Sequence, residues 1–168
     1  MNKAQPQAQV WMAVTALLCL ACSMIGCHGD RRESFYSSLA DAKKAGAVDR
    51  GWIPDFLPES SRNVHELHTV SSPTTWCAFE FDPTDSAILR KSLKADAETI
   101  SRVRSVPNPD KFWWPVVFTG NIESDKVRDA GFDLYALVEP ETLSSNEVLL
   151  FAINWDKGSG FFYRTPIS

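Results

Sequence analysis

The hydrophobic pattern of this chain divides sharply near residue 27. A continuous apolar run extends from Val10 to Gly26, preceded by a single basic side chain, Lys3, and followed by the polar stretch His28-Gly29-Asp30-Arg31-Arg32-Glu33. A positive start, an apolar stretch and small residues at its end are the marks of an export signal. Beyond that point the apolar residues come in short pieces. Phe35, Leu39 and Ala42 fall at near-helical spacing, so a helix is expected over Phe35 to Ala45. Ser38 and Asp41 make an acidic variant of a capping box, and Gly46 suits the position after its end. Residues 28–34 read as a short tether. Arg50 to Pro58 holds two prolines and a glycine and reads as a loop pinned by Trp52, Phe56 and Leu57.

Two alternating segments, Asn63 to Val70 and Thr75 to Phe81, flank the turn residues Ser71-Ser72-Pro73-Thr74 and predict a β-hairpin. In the second, Cys77, Phe79 and Phe81 share one face and Trp76, Ala78 and Glu80 the other. Asp82-Pro83-Thr84-Asp85 starts a helix with Ile88, Leu89 and Leu93 as its apolar side. The pattern fades from Lys94 to Arg104. Asn121 is expected to cap a third helix ending at Ala130, with Gly131 as its stop. Leu134 to Glu139 and Val148 to Trp155 are strands, the latter apolar on both faces and therefore expected to be central in the sheet. Asp156 to Gly160 is a hairpin turn, after which Phe161 to Thr165 pairs back. The expected fold is α+β: an antiparallel sheet of about five strands with about three helices packed mainly on one face.

The end of the apolar run, Met24-Ile25-Gly26-Cys27, resembles the lipobox of bacterial lipoprotein signals, with Met in place of the usual Leu. The resemblance implies cleavage before Cys27 and acylation of that cysteine. It also implies a domain layout of signal peptide 1–26, lipidated Cys27 with a tether to residue 34, and a single globular domain over 35–168. Cys22, preceded by Cys19-Leu20-Ala21, is the competing site. An uncleaved anchor is a further alternative, because the 17 apolar positions reach the lower limit of about 17–25 for a spanning helix. His28, rather than Asp, follows Cys27, which in that family favours an outer membrane where the cell has one. Two or more acyl chains hold a protein stably, each buried methylene contributing about 0.8 kcal/mol.

Charge and cysteine content narrow the picture. Cleavage would leave 142 residues, the size of one domain, with a net charge of −5. A mildly acidic chain with scattered Lys and Arg lacks the electrostatic footprint of a nucleic-acid binder, and no run of basic residues marks a site for anionic lipid. Of four cysteines, Cys77 alone would remain beside the acylated one, so no internal disulfide is expected.

Candidate chemistry is sparse. His65-Glu66-Leu67-His68 has His at a spacing of three, whereas a zincin helix needs i and i+4. On a strand the two imidazoles would face opposite sides, so no metal is expected. Cys77 would need a lowered thiol pKa to serve as a nucleophile, and its phenylalanine neighbours point to a core thiol. Gly158-Ser159-Gly160 lacks the full nucleophile-elbow pattern and reads as a turn. Asp82 with Asp85 has a full explanation as a helix cap, and Glu139 with Glu141 flanks Pro140 in a turn. No cofactor motif accompanies these residues. The aromatics are more telling. Trp113 and Trp114, being adjacent, are not expected to face the same way, and Trp76 shares its face with Glu80. Trp76, Trp113 and Trp114 are therefore candidates for a surface that binds protein or glycan.

Phe35-Tyr36, Ala45-Gly46-Ala47, the run Arg50-Gly51-Trp52-Ile53-Pro54-Asp55-Phe56-Leu57-Pro58 and Asn63-Val64-His65-Glu66-Leu67-His68 together resemble the YbbD head domain of bacterial membrane and exported proteins. The resemblance carries no activity with it. It implies that Arg50, Trp52, His65 and Glu66 form one local structure, a staple between loop and strand. The leading functional expectation is thus a lipid-anchored, non-enzymatic binding or accessory domain of the bacterial cell envelope. A small exported hydrolase using Cys77 or the His65/Glu66/His68 region is the alternative.

Overall fold

The computed structural model describes residues 30–103, 105–138 and 147–166. The signal region with Cys22 and Cys27, and the Glu139/Glu141 pair, lie outside them. Six strands form one antiparallel sheet: β1 (Arg31–Ser38), β2 (Arg62–Thr69), β3 (Thr75–Glu80), β4 (Asp133–Val138), β5 (Glu147–Asn154) and β6 (Ser159–Pro166). Their order is β1-β2-β3-β6-β5-β4, so β1 and β4 are the edges. Among the described residues, four helices of six residues each accompany it: α1 (Leu39–Lys44), α2 (Ala87–Ser92), α3 (Ala97–Arg102) and α4 (Ser124–Asp129).

This corrects the α+β expectation in two ways. The fold is mostly β, with a sixth strand, and its short helices lie on both faces of the sheet rather than on one. Leu39 and Ala42 of α1 and Leu89 of α2 pack with Val64, Cys77, Phe79, Phe151 and Phe162 on the front face. Val127 of α4, together with Val103, Val106 and Trp114, packs with Leu67, Trp76, Leu150 and Tyr163 on the back face. Every residue of β5 is buried because both faces of the sheet are covered, although the strand lies next to the edge strand β4 rather than at the expected centre.

The sixth strand is β1. Arg31–Ser34 belong to the sheet rather than to a tether, and Phe35 lies in a strand rather than a helix. The capping signal was genuine but started the helix later. The Asp41 amide donates to Ser38 Oγ at 3.1 Å, which begins α1 at Leu39 and leaves residues 31–38 to pair with β2. The predicted hairpin of β2 and β3 is present, with Glu66 opposite Cys77 and Leu67 opposite Trp76. A register irregularity sits between Arg62 and His65, where Asn63 adopts a φ of +49°. Asparagine tolerates this left-handed conformation better than most residues, and such a bulge re-aims the strand. Asp82 caps a 3₁₀ turn, Pro83–Asp85, ahead of α2. Ile88, assigned to the core side of that helix, is exposed instead. Asn121 is not a cap: α4 begins after Glu123, and Gly131 ends it with a φ of +86°.

Candidate functional site

Two residue clusters lie on opposite faces of β2, because successive side chains on a strand alternate. On the front face, Glu66 is fully buried and its Oε1 lies 2.8 Å from Nδ1 of His68. The loop after α1 closes over this pair. Trp52 stacks on the His68 ring with centroids 3.9 Å apart, and the Arg50 guanidinium lies 4.1 Å above the Trp52 ring. Arg50 Nη2 also donates to the Ala45 carbonyl at 2.7 Å, fixing the loop's turn. Arg164, buried on β6, donates to the Gly51 carbonyl and sits 3.3 Å from Glu147, so the loop is held at a second point.

The residues expected to form a staple do cluster, with a changed member. His68, not His65, completes it with Arg50, Trp52 and Glu66. The contact between Glu66 and His68 has ion-pair geometry, but both groups favour their neutral forms. Burial raises the Glu66 carboxyl to about 8 against the opposing pull of Arg50. Burial lowers His68, and Arg50 and Arg32 lower it further. We read the contact as a neutral hydrogen bond inside the core.

On the back face His65 lies among exposed rings. Phe35 packs on it at 4.8 Å, Trp113 stacks on it at 5.5 Å and Phe112 meets it edge-on at 5.8 Å. Phe112 is 93% exposed and Phe35 56%. The loop carrying Phe112 is built for display. Paired amide–carbonyl hydrogen bonds between Val106 and Gly120 close its base at 2.7 and 2.9 Å. Asn108 Oδ1 accepts from the Asp110 amide at 2.9 Å, and Asp110 takes a φ of +57°. Trp114 turns inward against Phe118 and Phe161 and donates to the Phe118 carbonyl at 2.9 Å. Trp113 then faces the edge of the sheet, where its Nε1 donates to Glu33 at 3.1 Å. Lys111 bonds the same carboxylate at 2.7 Å, and these two hydrogen bonds, Lys111 first, hold the Glu33 pKa below its ordinary value. Burial lowers His65 despite the nearby Glu33.

The predicted aromatic surface is thus corrected at two of three positions. Trp76 is 2% exposed and donates to the Pro107 carbonyl, and Trp114 is 6% exposed. Both fill the back core, because helices cover that face as well. Trp113 is half-buried at the patch, and Phe35 and Phe112 are the members that sequence reasoning missed. The one signal near Phe112 was Asn108-Pro109-Asp110, turn-forming residues that place it in a loop.

The hydrolase residues do not converge. Cys77 is buried beside Phe79 and Phe162, and burial, with Glu66 adding to it, pushes its thiol well above the ordinary value. That is the opposite of an activated nucleophile. His65 and His68 point to opposite faces, and among the described residues no three His, Cys, Asp or Glu side chains are placed to hold a metal ion. Gly158-Ser159-Gly160 leads from the turn into β6, with Gly158 at a φ of +60° against the Phe81 backbone.

Both clusters draw on the same stretch of chain. Residues 30–80 match the family model of the YbbD head domain. Neither a curated protein nor a solved structure matches the chain. The YbbD head match spans β1, α1, the Trp52 loop, β2 and β3, and so includes the complete Arg50–Trp52–His68–Glu66 staple. It also includes Phe35, Glu33 and His65 of the aromatic patch. Phe112 and Trp113 come from beyond it, so the patch joins the head segment to the part of the chain that follows.

Proposed function

We propose that this chain is an exported bacterial envelope protein, anchored by acyl chains on Cys27, whose head domain binds another protein through the patch of Phe35, His65, Phe112 and Trp113. The observation that carries the binding role is the near-complete exposure of Phe112 beside Phe35 on the edge strand. Large apolar rings held in water by a braced loop are costly unless a partner covers them. The chemistry favours protein over glycan. The most exposed rings are phenylalanines, which offer no hydrogen bond to a sugar, and the indole N–H of Trp113 is already engaged by Glu33. The anchoring role rests on the Met24-Ile25-Gly26-Cys27 pattern.

Each half has its own test. Metabolic labelling with a clickable fatty acid should mark the wild-type protein and not Cys27→Ser; label retained on the variant sinks the Cys27 assignment. For binding, the acylated protein is recovered from its native membrane with a reversible cross-linker. A specific partner should be lost with Phe112→Ala and with Phe35→Ala and kept with Ile88→Ala, an exposed apolar residue on α2. Identical recovery from all four proteins would refute the patch.

A further inference from the structure

Resting on the anchoring reading above, we infer that the domain stands with one end of its sheet against the phospholipid surface, touching it through Val70 and the guanidinium groups of Arg31, Arg32 and Arg50. The sheet begins at Arg31, only four residues after Cys27. Four residues reach at most about 14 Å when fully extended, so the start of β1 cannot lie far from the acylated cysteine. Antiparallel pairing then fixes which groups share that end. Arg31 lies opposite Thr69 and Arg32 opposite His68, which in turn lies opposite Thr75. The β2–β3 turn follows at once, and Val70 at its first position is 64% exposed. A lone apolar side chain at a hairpin tip is suited to insertion among lipid headgroups.

The sequence shows no basic run, yet the fold gathers three exposed arginines here. Arg31 is braced over Trp76 at 5.0 Å and Arg50 over Trp52 at 4.1 Å, while Arg32 and Arg50 both bear on His68. Asp30 and Asp49 adjoin them in sequence, so the end has little net charge to attract a membrane from a distance. The arginines instead suit direct hydrogen bonding to headgroup phosphates once the anchor has delivered the domain. Phe35 lies four residues along β1 from Arg31, about 13 Å farther from the lipid. The aromatic patch would then face sideways above the bilayer, within reach of proteins that are themselves attached to it.

The test uses the acylated full chain reconstituted into vesicles of phosphatidylethanolamine and phosphatidylglycerol. One variant carries a thiol-reactive fluorophore at Val70→Cys. A second carries it at Asp156→Cys, in the β5–β6 turn at the opposite end of the sheet, and Cys77 is buried away from the reagent. Nitroxide-bearing lipid should quench the Val70 label several-fold more than the Asp156 label, with aqueous iodide giving the reverse order. Equal quenching of the two by each agent, in protein whose intact mass shows the acyl group, overturns the orientation alone. A mass lacking the acyl group overturns the anchoring reading and the orientation with it.

Discussion

Replacing Glu66 by glutamine should stabilise the domain and flatten the dependence of its stability on pH above neutrality. The carboxyl is fully buried on β2, bonded to His68 and raised to about 8. In the unfolded chain Glu66 ionises above the ordinary glutamate value of 4.5. Between those limits the folded state holds a proton that the unfolded state has released, so stability falls as pH rises from 4.5 to about 8. His68 acts in the opposite sense and elsewhere. Its pKa is lowered from 6.5, so the unfolded chain takes up a proton first and stability falls as pH drops below 6.5. The window from 6.5 to 8 therefore isolates Glu66. At about 1.4 kcal/mol per pH unit, the wild type should lose on the order of 2 kcal/mol across that window, or roughly 4–8 °C in Tm for a chain of this size. The Glu66→Gln protein keeps an acceptor for His68 without an ionisable proton. At pH 8 it should melt above the wild type, with little slope between 6.5 and 8. Thermal unfolding followed by circular dichroism in matched buffers measures both. A variant that melts lower at pH 8, or that keeps the wild-type slope, would show that Glu66 is ionised in the fold and that the neutral pair is wrong.

Two further substitutions probe the frame around the sites. Trp52→Ala removes the middle layer between Arg50 and His68 and should cost about 2–3 kcal/mol; Arg50→Gln, which removes a cation–π contact at the exposed end of the stack, should cost about 0.5–1 kcal/mol. If neither changes the denaturant midpoint, the staple does not hold the loop. Gly158→Ala places a methyl group against the Phe81 carbonyl at a φ of +60°, and should destabilise by about 2 kcal/mol or more. A Tm unchanged by that substitution would mean the turn can relax without cost.

The legible parts of this chain were those governed by local periodicity. The β2–β3 hairpin follows from strict alternation on either side of Ser71–Thr74, and Cys77 was placed in the core by its phenylalanine neighbours. Where a segment could satisfy two periods, tertiary contacts decided. Phe35, Leu39 and Ala42 fit a helix, but Tyr36 and Phe35 find partners in Val64 and His65 only when residues 31–38 are extended. Trp76 looked like a surface residue because its strand face also carries Glu80. It is buried because Pro107 and Phe118, distant in sequence, build a second core there. The staple was recognisable as a group of residues, yet its histidine was misassigned. The choice between His65 and His68 depends on strand parity relative to Glu66, and parity puts residues two apart on the same side.

The strand order also has a consequence for how the molecule can be assembled and cut. β1-β2-β3 and β6-β5-β4 are two meanders, each built from neighbours in sequence and joined along a single seam, β3 against β6, where Cys77 faces Phe162. That seam links residues about 80–90 positions apart, so it closes late if local hairpins form first. The segment of residues 30–80 that matches the YbbD head domain is then half a sheet. Released on its own, it would present the unpaired backbone of its most apolar strand, a template for pairing with another copy. The residues after 80, through β6, are what cover that edge of β3.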